Sequence, residues 1–349
     1  MPDIFSHPWF SGLFGDDDAQ AIWSPETSLA RMLAFEAAWS RSLGEVGAVE
    51  ADLAERAAQV VEGCAPDVSQ LRDGTGQDGL PIPALVSALK AAAGDEVAGA
   101  IHAGATSQDV LDSVLAMVLR DTITLLDHRL ERLLSALDGL EKRVGDTRIM
   151  GRTRMQAALP IAAAHRIGVW AQPLPRHRER LQAARQRVAC VQVGGPVGDR
   201  RKLRPGMTAA MAARLGLEDA PCWHAARDGV AEFGALAALI AGSCGKIGAD
   251  VCLMAQQGVD EARVAGGGGS SAMPHKQNPV AAETLVTLAR FASAQSGALT
   301  GAMVHEQERS GAAWTLEWMV LPPLALSAAR ALGLAIELVE GLEISDGQG

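Results

Sequence analysis

The chain has 349 residues, a formal net charge of -10 and 48% apolar residues, with no tyrosine at all. Such a length accommodates a large core and about two or three domains, and the acidic balance excludes a general nucleic-acid binder. Nine Lys/Arg against two acids between Arg176 and Arg204 are spaced like a solvated helix face rather than a nucleic-acid patch.

Abundant alanine with few β-branched or aromatic runs predicts an all-α protein. Five isolated cysteines, Cys64, Cys190, Cys222, Cys244 and Cys252, form no C-x-x-C pair, a usage typical of a reducing compartment. The N-terminus lacks the basic start and apolar core of a signal peptide. The apolar stretch from Met319 to Ile336 is interrupted by Pro322, Pro323 and Arg330, so no membrane span is expected and the location expected is cytoplasmic.

In chain order, Ser24 to about Gly44 has a serine cap, an early glutamate and Leu29, Met32, Leu33, Phe35 and Trp39 at helical spacing. A second helix is predicted from about Val49 to Glu62. Gly74 to Gly79 reads as an exposed loop ahead of Pro81 and Pro83, and residues 1–105 as a small N-terminal helical domain. A much longer helix follows Thr106-Ser107-Gln108-Asp109. Its Leu126, Leu130, Leu133, Leu137, Leu140 and Val144 recur in steps of four and three, which predicts about 36 residues and roughly 55 Å. Val230, Phe233, Ala237, Ile240, Cys244, Ile247, Val251 and Met254 repeat that seam. Residues 161–190, with a break expected at Pro173 and Pro175, 279–306 and 313–342 supply three more helices. Residues 106–345 therefore read as a central long-helix bundle that continues across subunit boundaries.

Two segments carry candidate chemistry by residue type. The N-terminus of the long helix, with Thr106, Ser107 and Gln108, offers free N–H groups and a favourable dipole to a carboxylate, while also needing a cap of its own. The stretch Gly266 to Glu283, GGGGSSAMPHKQNPVAAE, leads a poly-glycine run, built to move, into two serines and a lysine before Pro279 opens a helix. His224 and Asp228 lack a third metal ligand at a telling distance. Gly194 to Gly198 lacks the spacing and preceding strand of a phosphate loop.

The run Gly269-Ser270-Ser271-Ala272-Met273-Pro274-His275-Lys276-Gln277-Asn278-Pro279, with Glu283 after it, resembles the GSSxMPxKxNP signature of the fumarase/aspartase superfamily. That superfamily includes argininosuccinate and adenylosuccinate lyases and the 3-carboxy-cis,cis-muconate cycloisomerases. The resemblance implies that Ser270 transfers the proton and that Lys276 and Asn278 hold substrate or loop. Ile101 to Ser113 is similar to the segment that grips a substrate carboxylate, which assigns Thr106, Ser107 and Gln108, with His102 beside them, to binding. Gly151 to Pro160, GRTRMQAALP, is similar to the second signature and adds Arg152, Arg154 and Gln156.

Arg154 occupies the place where many of the lyases carry a histidine. A guanidinium stays charged and binds rather than shuttles protons. That favours the cycloisomerase branch, whose substrate has three carboxylates, in the protocatechuate (β-ketoadipate) route of aromatic degradation. The resemblance also implies a homotetramer with each site assembled from three subunits, and chemistry without a cofactor or metal. Most members carry a further C-terminal domain, for which no full counterpart is expected here. Two alternatives stand beside this reading: a fumarate-releasing lyase acting on adenylosuccinate, argininosuccinate or a related succinyl adduct, and a catalytically inactive structural homologue.

Overall fold

A computed structural model describes residues 3–264, 268–269 and 277–347. Short α1 (Ser11–Phe14) and α2 (Asp17–Trp23) precede α3 (Pro25–Glu45), α4 (Ala51–Gly63), α5 (Val68–Asp78) and α6 (Ile82–Ala98). Next come α7 (Ser107–Val144), the strands β1 (Arg148–Thr153) and β2 (Gln156–Ala162), then α8 (Ala163–Ala171) and α9 (Pro173–Val188). After α10 (Met207–Leu215) and α11 (Asp228–Met254) lie β3 (Ala262–Val264), β4 (Gly268–Gly269) and β5 (Gln277–Asn278), and α12 (Val280–Gly301), α13 (Ala312–Glu340) and β6 (Leu342–Ile344) complete the order. The all-α helical-bundle class predicted from the sequence holds, with strands among the described residues only as short antiparallel pairs β1–β2, β3–β6 and β4–β5.

The seams read from spacing are the ones that pack. In α7, Leu126, Leu130, Leu133 and Leu140 are wholly buried, and in α11 Phe233, Ala237, Ile240, Cys244, Ile247 and Val251 are too. The predicted break falls at Gln172, between α8 and α9, with Pro173 taking the first position of the new helix, where its missing N–H costs nothing. The basic face of α9 is ion-paired to its neighbours, Arg178 to Asp127 of α7 at 2.8 Å and Arg187 to Glu232 of α11 at 2.5 Å. All five cysteines are free thiols.

Contacts along the bundle fix the helix directions. Arg227, just before α11, and Trp314, near the start of α13, both reach Asp112 near the start of α7, while Arg129 farther along α7 meets the carbonyl of Ala329 farther along α13. So α7, α11 and α13 run the same way. Helix α9 runs against α7, since Arg178 meets Asp127 and Arg185 meets Thr124. Helix α12 runs against α11, to which it packs closely because Gly234 and Gly248 leave no room for a Cβ against Leu299 and the Ala282 carbonyl.

Two apolar cores result. One lies within the bundle. The other joins α3, α4 and α6 to the first third of α7 and to residues between Ala189 and Leu217.

One expectation is corrected. Gly74 to Asp78 is not a loop but the last turn and a half of α5, closed by Gly79 in the left-handed region (φ 80). Gly74 sits there because a Cβ would come 2.6 Å from that of Ala84, where α6 crosses. Pro322 and Pro323 lie inside α13 without ending it, in keeping with the helix read over residues 313–342. Helices α11 and α13 are long and apolar enough to cross a membrane, but 50% and 67% of their apolar windows are buried within the protein, which makes them core helices.

Candidate active site

At the start of α7, Thr106 is the N-cap of a capping box with Asp109, as expected. The Thr106 N–H donates to Asp109 Oδ2 at 3.0 Å, and the Thr106 hydroxyl accepts from Arg309 Nη2 at 3.0 Å. Asp109, wholly buried, also accepts from the Gly194 and Gly195 N–H groups at 2.7 and 3.1 Å. It thereby fastens the 194–198 loop to the helix. The side chain of Ser107, at the first helical position, makes no hydrogen bond among the described residues and lies at the positive end of the dipole.

Gln108 is wholly buried and its amide is fully occupied. It donates to Asp112 at 3.0 Å and to the His224 carbonyl at 2.9 Å, and accepts from Arg309 Nε at 2.8 Å. In this arrangement it holds Arg309, whose guanidinium spans Gln108, Thr106 and the Pro196 carbonyl.

His102 lies beside this helix start with φ 59, a conformation that L residues seldom adopt. Its Nδ1 is 2.6 Å from Glu36 Oε1 on α3. Glu36 is wholly buried and its other oxygen has no partner among the described residues. The carboxylate fixes the ring so that Nε2 is the nitrogen left free.

Behind these groups is a buried charge cluster. Arg227 is held by Asp112 (2.8 and 3.1 Å) and by Glu317 (2.9 and 2.5 Å), with its guanidinium 4.8 Å over Trp223. His305 lies 3.3 Å from Glu317, its side chain fully enclosed; burial above all holds its pKa below the ordinary histidine value.

His224 bonds Asp109 Oδ1 at 3.2 Å. Burial alone would lower its pKa, but its interactions with Asp109 and the neighbouring Cys222 outweigh that and raise it to about 9. A histidine raised in the folded state adds stability that is complete below the unfolded pKa, near 6.5, and is lost as pH rises through about 9. Chemical denaturation of wild type and Asp109→Asn should therefore show a stability gap widest below pH 6.5 and narrowing towards pH 9. A gap constant across that range would contradict the pairing.

The second segment lies elsewhere. Strands β1 and β2 form a hairpin in which Arg154 and Met155 fill a two-residue turn, both with positive φ (49 and 67), the backbone that a twisted hairpin turn demands. Arg154 and Gln156 are exposed at its tip, and Arg154 has no ion pair among the described residues. Arg152 is tied to the buried Glu261 at 2.8 Å.

Of the third segment, Ser270 and Lys276 lie outside the described residues. Asn278 is described: it pairs across β4–β5 with Gly268, half-buried. Glu261 also accepts from the Met150 N–H at 2.9 Å, which puts the chain leading into β3 beside the hairpin.

Consequently one chain separates its own candidates. His102, Thr106, Ser107 and Gln108 sit at the start of α7. Arg152, Arg154 and Gln156 follow its far end, 38 residues on, which is about 57 Å away. No bend in a packed bundle closes that gap.

With this geometry established, comparison with known proteins places the chain. The profile of a family described as lyase matches residues 14–292, and the chain belongs to that family. A 3-carboxy-cis,cis-muconate cycloisomerase from Pseudomonas aeruginosa is 38% identical over 99% of this chain and 77% of its own length. The crystal structure of the 3-carboxy-cis,cis-muconate lactonizing enzyme from Pseudomonas putida superposes with a TM-score of 0.91 at 32% identity, covering 97% of this chain and 78% of that one. A fumarate lyase from Mesorhizobium sp. BNC1 gives 0.88 at 31%, covering 95% and 76%.

Sequence reasoning missed Glu36 as the partner of His102, and Arg309 as the clamp on Thr106. Neither carries a motif, since the contact in each case joins residues far apart in the chain.

Proposed function

We propose that this chain is a 3-carboxy-cis,cis-muconate cycloisomerase, interconverting that triacid with 4-carboxymuconolactone. The observation that carries the reading is the resemblance to cycloisomerases, four of them 31–38% identical over 96–99% of this chain. Arg154, standing where a proton-shuttling histidine would favour an amine-releasing lyase, agrees with it. The succinyl-adduct alternative has weaker support: N-acetyl-S-(2-succino)cysteine lyase from Enterococcus italicus is 28% identical.

In the proposed reaction one carboxylate oxygen of the substrate adds to an alkene carbon, closing the lactone ring, and a proton goes to the neighbouring carbon. Ser270 handles that proton, with loop N–H groups and Lys276 stabilising its alkoxide, because an unaided hydroxyl is far too weak a base. Thr106 and Ser107, at the positive end of α7, hold one carboxylate, with His102 Nε2 beside them. Arg154 and Asn278 hold the others, and Gln108, Arg152 and Gln156 shape the site. No cofactor is required.

Because the two groups of residues lie at opposite ends of α7, a complete site draws on more than one copy of the chain. A homotetramer sharing its sites, in the cytoplasm, is the assembly we infer. Small enzymatic polycarboxylate chemistry of this kind gains chiefly from restricted geometry.

The test is direct. Purified protein mixed with 3-carboxy-cis,cis-muconate should bleach the conjugated-diene absorbance and yield the lactone. No consumption at micromolar enzyme, or release of fumarate from a succinyl adduct instead, would overturn the assignment.

A further inference from the structure

Beneath the 194–198 loop lies a group that the proposed reaction does not use. The Cys222 thiol is half-buried and accepts a hydrogen bond from Gln192 Nε2 at 3.1 Å. Beside it, His224 is 3% exposed, and its Nδ1 has no hydrogen-bond partner among the described residues, while Nε2 is spent on Asp109.

Both atoms pack against the same two glycines of the loop. A Cβ built on Gly198 would stand 3.0 Å from Cys222 Sγ and 3.2 Å from His224 Nδ1, and one on Gly194 would come 2.5 Å from the sulfur. Glycine at both positions lets the loop backbone pack directly against the thiol and the imidazole. Thiol, imidazole and buried carboxylate thus stand in sequence, the order that converts a cysteine into a thiolate with a paired imidazolium.

We propose that Cys222 is a reactive thiolate, open to oxidation by small hydroperoxides and to alkylation by small uncharged electrophiles, and that its oxidation weakens substrate binding at the start of α7. In the oxidation step the sulfur attacks one peroxide oxygen and the O–O bond breaks. The leaving hydroxide takes a proton and departs as water, leaving a sulfenic acid; sulfur is oxidised by two electrons and the peroxide reduced by two. A dithiol reverses the step, giving thiol, disulfide and water.

Because the backbone at Gly194 and Gly198 packs on the sulfur, a new oxygen on that side has to displace it, and the 194–198 loop must yield. That loop supplies the Gly194 and Gly195 N–H groups that hold Asp109, and the Pro196 carbonyl that holds Arg309. The same displacement therefore loosens the clamp on Thr106. The charged groups facing the thiol are His224 and, behind it, Asp109; Arg200 adds a positive charge to the loop, its guanidinium bonded to the carbonyls of Val193 and Ala220. In agreement, the thiol lies below the ordinary cysteine pKa: burial alone would raise it, but the His224 and Gln192 interactions prevail. The Cys252 thiol, by contrast, is raised by burial.

The experiment is timed alkylation of the native protein with iodoacetamide, each cysteine followed by peptide mass spectrometry at pH 6.5 and 8.5. Cys222 should react faster than Cys64 and Cys252, by roughly tenfold or more at pH 6.5, and His224→Gln should erase that lead. Brief hydrogen peroxide should raise KM for the family substrate more than it lowers kcat, reversibly with dithiothreitol, and Cys222→Ser should keep its activity and be immune. Labelling of Cys222 no faster than of the other two cysteines, which remains readable if the His224 variant does not fold, would overturn the site. Normal labelling with an unchanged KM after oxidation would overturn its effect on binding. This consequence for KM rests on the cycloisomerase reading, but the labelling arm does not, so the two fail separately.

Discussion

Ser270→Ala is expected to lower turnover by roughly 10²- to 10⁴-fold, the usual worth of a positioned proton carrier. The helical circular dichroism and oligomeric mass should stay unchanged. The reason is chemical: ring closure needs a proton to arrive at or leave one carbon as the carboxylate adds to its neighbour, and alanine offers neither hydroxyl nor alkoxide. Because binding at the start of α7 does not depend on that hydroxyl, KM should move far less than kcat. A variant retaining a tenth or more of the wild-type turnover would remove Ser270 from its proposed role.

Arg227→Met is expected to cost about 3–5 kcal/mol of stability, since it removes the one cation that both Asp112 and Glu317 grip while leaving them buried. Desolvating a carboxylate is tolerable only while its partner is present, and methionine keeps the volume but not the charge. Protonation of one of the freed acids offsets part of the loss, so the deficit should shrink between pH 8 and pH 5. Urea unfolding at matched protein concentration measures both effects, the concentration being fixed because assembly adds to apparent stability. A deficit below about 1 kcal/mol, or one that grows on acidification, would mean that the cluster is not held together by this guanidinium.

The parts of this fold written in local periodicity were legible from the residues. Steps of three and four from Leu126 to Leu140 announce α7 because a buried stripe on a helix leaves no other spacing, and the structure gives 38 residues where about 36 were expected. Gly74 misled for the converse reason. Its glycine serves the crossing of α6 at Ala84, a tertiary contact that looks like loop chemistry in the sequence. The hairpin was hidden because its turn uses Arg154 and Met155 at positive φ in place of the Asn or Gly that normally signals such a turn.

For the site, the segments and their division among subunits were readable by resemblance, but the contacts that hold them were not. The length and course of α7 place Thr106 and Arg154 at opposite ends of one chain. The hold of Glu36 on His102 and of Gln108 on Arg309 spans 66 and 201 positions, beyond the reach of any local pattern.

The central claim is that each site joins the α7 start of one copy to the hairpin of another. Variants Ser107→Arg, which blocks the helix start, and Arg154→Glu, which reverses charge at the hairpin tip, should each be nearly inactive on 3-carboxy-cis,cis-muconate alone. Dissociating and reassembling the two together should restore activity, because some sites then receive an intact start from one chain and an intact tip from the other. Mixed oligomers confirmed by mass spectrometry yet still inactive would show that both ends are not needed from different copies.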